Sequence, residues 1–102
     1  LRFATPADAI AALNSTFGPR PESGWRFDRP LRPCANAPGG PAALRTFRAA
    51  TTATMHFGRL TIDLATGETI FVDEDHRDGN DFELKRMTLP PDWLEALRAV
   101  LA

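Results

Sequence analysis

FRAATTATMHFGRLTIDLATGETIFV, residues 47–72, is the stretch whose reading decides how this chain folds. Phe47, Ala49, Thr51, Ala53, Met55 and Phe57 alternate with Thr46, Arg48, Ala50, Thr52, Thr54 and His56. A period of two marks a strand with one face buried. Gly58-Arg59 then fits a two-residue hairpin with glycine first in the turn. The predicted register pairs Phe57 with Leu60, Met55 with Ile62 and Ala53 with Leu64, all on one apolar face. The other face pairs His56 with Thr61 and Thr54 with Asp63. A slip of one residue would reverse every side chain, so the agreement carries weight.

The following turn has two readings. A two-residue loop at Thr66-Gly67 sets Ile62 beside Phe71 and turns Ile70 and Val72 outward. A three-residue loop at Ala65-Thr66-Gly67, with Gly67 left-handed, pairs Ile62 with Ile70 and Leu60 with Val72. The second keeps the apolar face continuous and is the expectation. It leaves Phe71 on the opposite face, near Thr61 and His56.

Helices flank this ribbon. Thr5-Pro6-Ala7-Asp8 starts the first: a threonine cap, proline at the first helical position and an acid in the first turn. Ile10, Leu13 and Phe17 form its buried stripe, and Gly18-Pro19 ends it. The last helix begins near Pro90-Pro91-Asp92, with Trp93, Leu94, Leu97, Val100 and Leu101 on one side. Between the first helix and the sheet, residues 19–43 carry six prolines, which exclude a helix or a central strand. A fourth strand is expected from Phe82 to about Thr88, after a polar loop from Asp73 to Asp81. The predicted fold is a single α+β domain over residues 1–102. It is a four-stranded antiparallel meander with both helices on the face carrying Met55, Phe57, Leu60, Ile62, Ile70 and Val72. Residues 19–43 form an ordered Pro-rich excursion held down by Trp25, Phe27 and Leu31.

Composition narrows function without naming it. The net charge is -1, so no global basic field points to nucleic acid or an anionic membrane. The charge is split along the chain, however. Residues 1–51 hold seven Arg against Asp8, Glu22 and Asp28, which is +4; residues 52–102 hold five basic against ten acidic residues, which is -5. Complementation between the halves is the plainer reading, and a bipolar docking surface the sharper one. One cysteine, Cys34, permits no internal disulfide and fits a reducing compartment. No apolar run is long enough to span a bilayer. The expected setting is soluble and cytoplasmic, with a removed targeting segment left open by a chain that begins at Leu1.

Four constellations could carry chemistry. Asp73, Asp75, Asp78 and Asp81 could offer oxygens to a hard cation, but their spacing fails the EF-hand pattern, with Arg77 or Lys85 at ligand positions. A metal is therefore not expected, nor any cofactor. His56 with Asp63, and Arg48 or Arg59 nearby, could begin a general acid–base site. Arg20, Trp25, Arg26, Phe27, Arg29 and Arg32 combine guanidinium with aromatic groups, as single-stranded nucleic-acid sites do. The outer sheet face, with Thr52, Thr54, His56, Thr61, Asp63, Thr69 and Phe71, could receive a partner. No phosphate loop, nucleophile elbow or Cys/His metal spacing occurs. The sequence thus leans away from an enzyme and toward a small module that binds a protein. The face, a sheet edge, or the loop bearing Arg26, Arg29 and Arg32 would make the contact, and self-association is possible. A hydrolase or nuclease-like enzyme using His56 is the first alternative, and nucleic-acid binding the second.

Overall fold

The computed structural model describes residues 1–17, 32–33, 42–50, 57–75 and 80–102. Helix α1 spans Pro6–Phe17 and α2 spans Pro91–Leu101. Five antiparallel strands lie between them: β1 (Arg32–Pro33), β2 (Leu44–Ala50), β3 (Phe57–Asp63), β4 (Glu68–Asp75) and β5 (Asn80–Thr88). Their spatial order is their chain order. The α+β class and the meander are thus as expected, with a two-residue ribbon from the Pro-rich segment added beside β2.

Helix α1 starts where its cap predicts. The Asp8 amide donates to Thr5 Oγ1 at 3.1 Å, and the Thr5 hydroxyl donates to the Asp8 carboxylate at 2.9 Å. Its Ala9, Ile10 and Leu13 are buried. Pro91 opens α2 without wasting an amide, since that donor would have no partner in the first turn. Trp93 joins the helices: its ring lies 4.9 Å edge-on from Phe17 and 5.5 Å from Phe3. The core is Ile10 and Leu13 from α1, Leu97 from α2, and Phe47, Leu60, Ile62 and Phe71 from one sheet face. Burying each such side chain stabilises the fold by about 1.5–3 kcal/mol.

Two registers differ from expectation. Gly58 is not a turn residue. It lies buried within β3, opposite Ala49 and Asp73. Strand β2 pairs Phe47 with Leu60 and Ala50 with Phe57, so β2 and β3 are not joined by a turn at Gly58-Arg59. Thr54, Met55 and His56 lie outside the described residues.

The second difference inverts β4. Its loop holds four residues, Leu64 to Gly67, and pairs Leu60 with Phe71 and Ile62 with Thr69. The Gly67 amide donates to the Asp63 carbonyl at 2.7 Å, and Gly67 is left-handed at φ 82°. Asp63 Oδ1 accepts the Ala65 amide at 2.8 Å, which tightens the turn. Leu64, expected in the strand on the apolar face, is buried as expected but belongs to the loop. One residue more in the loop exchanges the faces. Phe71 becomes fully buried, and Ile70 and Val72 move to the far face, half-buried. The expectation of an outward Phe71 is corrected accordingly.

The third correction concerns the acidic loop. Strands β4 and β5 continue to Asp75 and from Asn80, pairing Asp73 with Phe82 and Glu74 with Asp81. A register shift between Phe71 and Val72 leaves Leu84 as the extra residue of β5, since Phe71 faces Lys85 while Val72 faces Glu83.

Candidate functional site

The helices cover the sheet face that carries Phe47, Leu60 and Phe71, so polar chemistry collects on the other. One cross-strand row of that face reads Arg32, Arg48, Arg59, Val72, Glu83 from β1 to β5. Arginines directly opposite one another repel. Glu74, diagonal to Arg59 on β4, answers this. Its carboxylate lies 3.4 Å from Arg59 Nη1 and 3.9 Å from Arg48 Nη1. Glu74 is only 8% exposed, whereas Arg48 is 69% exposed. A buried acid thus sits beneath two bases, for a net charge of +1.

A second group on β4 and β5 has the inverse composition. The Arg86 guanidinium donates to Glu83 at 2.7 Å and also bridges to Glu68. These three side chains are about half exposed, and two acids on one base leave a net charge of -1. The adjacent guanidinium holds the Glu83 carboxyl below its ordinary range, and the carboxylate holds Arg86 above its own. The outer face therefore presents a base–acid–base group toward one edge and an acid–base–acid group toward the other.

The residues singled out from sequence scatter. Asp63 serves the β3–β4 turn by accepting the Ala65 amide. It ends β3 while Phe57 begins it, about 20 Å away at 3.3 Å per residue. The diagonal His56–Asp63 contact drawn from a turn at Gly58 has no such register behind it, and His56 lies outside the described residues. Asp73 is buried beside Gly58 on the core side of the sheet, whereas Glu74 next to it faces outward. Asp78 lies outside the described residues, and Asp75 and Asp81 are placed by backbone register alone. Among the described residues no cluster of three or more His, Cys, Asp or Glu could hold a metal ion. Arg26 and Arg29 lie outside the described residues, as do Arg20, Trp25 and Phe27. Arg32 is the member of that loop placed in the sheet, in register with Arg48.

Glu68, Glu74, Glu83 and Arg86 were not singled out. Their sequence signal is weak, because charges at alternating strand positions read as an ordinary solvated face. No described helix is long and apolar enough to cross a membrane. No protein-family model, curated protein or solved structure matches the chain.

Proposed function

We propose that this chain is a small non-enzymatic interaction module that docks a protein partner on the outer face of its sheet. The supporting observation is the charged side chains on the face away from the helices, with Arg48 exposed above the buried Glu74 and the Glu68–Arg86–Glu83 group about half exposed. Charge patterns of this kind steer encounter and set orientation more than they add affinity. The β5 edge is a poorer docking route. Its bulge and its core-side Lys85, which donates to the Phe17 carbonyl at 3.3 Å, are devices that discourage strand addition.

The test is to recover a partner from source cells, purify it, and measure binding to the wild type and to Arg48→Glu. Association should slow at least tenfold in the variant and weaken steeply with salt. A partner that binds both chains alike, or equally at high salt, counts against the outer face. A second reading, nucleic-acid binding, draws on the register that aligns Arg32, Arg48 and Arg59. A salt titration with oligothymidylate separates the two, because phosphate neutralisation gives affinity that falls linearly on a log–log plot.

A further inference from the structure

Most charged side chains among the described residues are already engaged. Arg45, Lys85 and Arg98 donate to backbone carbonyls, Asp8 accepts the Thr5 hydroxyl, and Asp63 accepts the Ala65 amide. Arg48, Arg59, Glu74, Glu68, Glu83 and Arg86 are joined in ion pairs on the outer face. Asp73 also has a partner. Among the described residues, the charged side chains without a hydrogen bond or ion pair are Arg2, Asp92 and Glu95. All three line one cavity of about 320 Å³ on the helix layer.

Local geometry builds this cavity. Asp92, Glu95, Ala96 and Ala99 stand at i, i+3, i+4 and i+7 of α2, so they share one helix face. The segment from Leu1 to Phe3 supplies the rest of the lining. It is held beside α2 where the Phe3 ring lies 5.5 Å from the Trp93 ring. Alanine at 96 and 99 leaves the space open, since longer side chains on that face would occupy it.

We infer that this cavity binds a free α-amino acid with an apolar side chain. The inference does not draw on the outer sheet face. Asp92 and Glu95 are like charges one turn apart and repel, and an ammonium group between them relieves both. Arg2 forms an ion pair with neither acid, so its guanidinium can take a carboxylate in two parallel hydrogen bonds. An amine alone leaves Arg2 unanswered, and a carboxylate alone meets two acids. A zwitterion answers both signs in one molecule. The apolar lining from Leu1, Phe3, Ala96 and Ala99 then receives its side chain. The volume is at the low end of small-ligand cavities, about 300–1,000 Å³, which suits a single amino acid. Arg2, Asp92 and Glu95 are exposed, so water and salt screen their contacts. The dissociation constant is therefore on the order of 1 mM.

Amide NMR on the full chain tests the site. The chain is titrated with L-valine, L-leucine, L-methionine and L-phenylalanine in turn. At least one should give saturable shifts centred on residues 2, 3, 95, 96 and 99. For the tightest of them, the matching amine without the carboxylate and the matching acid without the amine should each bind about threefold or more weakly. Arg2→Met should weaken the amino acid by a similar factor and leave the amine unchanged. Asp92→Asn/Glu95→Gln should weaken the amino acid and the amine, but not the acid. Dispersion of the same spectra shows that each variant folds. The inference is overturned if none of the four amino acids gives saturable shifts at these residues. It is also overturned if either analogue binds as tightly as its parent, or if both variants bind the amino acid like the wild type.

Discussion

Arg48 on β2 and Arg59 on β3 stand directly opposite one another, and the buried carboxylate of Glu74 lies within 4 Å of both guanidinium groups. The arrangement couples three strands through one acid. It also makes the effect of either arginine depend on whether the acid is present.

Glu74→Gln should destabilise the fold by about 1–2 kcal/mol, between the values for exposed and buried pairs. Arg48→Ala alone should cost less than about 1 kcal/mol, since Arg48 is 69% exposed. In the Glu74→Gln background the same Arg48→Ala change should become stabilising, because it relieves the repulsion from Arg59. A double-mutant cycle by urea unfolding reads the sign. Additive effects would show that Glu74 does not join the pair.

The β4 register makes opposite demands on neighbours. Phe71→Ala should cost about 3–5 kcal/mol, as for a fully buried aromatic. Val72→Ala, on the half-buried outer face, should cost under about 1 kcal/mol. A three-residue loop would reverse that order, so the two midpoints discriminate between registers.

Gly67 holds φ 82°, and an added Cβ would meet Leu94 Cδ2 at 3.2 Å. Gly67→Ala should lose about 1–2 kcal/mol from the left-handed backbone alone. The Leu94 contact adds to that, because the Gly67 carbonyl is tied to the Leu89 amide at 3.0 Å and the turn cannot retreat freely. Thermal unfolding of the variant measures the sum.

Among the described residues the buried Thr46 Oγ1 has no hydrogen-bond partner. Thr46→Val keeps the shape and removes the unsatisfied hydroxyl. It should raise stability by about 1 kcal/mol, the lower end of the penalty for such a group. A lower melting point in the variant would mean the hydroxyl is satisfied.

Glu83 titrates below the ordinary carboxylate range because Arg86 donates to it. Its folded value is lower than its unfolded one, so its contribution to stability is present above the unfolded value. That contribution is lost as pH falls through the folded value. A carboxyl-carbon NMR titration should show Glu83 moving up in Arg86→Ala.

The helices were legible because their signals are local. Thr5 with Asp8, and Pro91 with Asp92, act within one turn of chain and need no distant partner. The turn chemistry of the strands was ambiguous by one residue. Gly67 was correctly seen as left-handed, yet Asp63's side chain and carbonyl close a loop of four residues rather than three. The same limit hid the outer face. Arg32 and Arg48 are 16 positions apart, and nothing near either says that they pair.

By itself the sequence determined two helices, the first capped by Thr5, an antiparallel ribbon between them, and a division of charge along the chain. Tertiary structure decided which side of each strand meets the helices. Side chains alternate along a strand, so one residue more or less in a turn inverts a whole face. Between two such turns the choice falls to what the core can bury. The core takes Phe71 in place of Ile70 and Val72, with Arg98 donating to the Leu64 and Ala65 carbonyls to hold the loop against α2. The placement of the charged groups on the outer face follows from that choice.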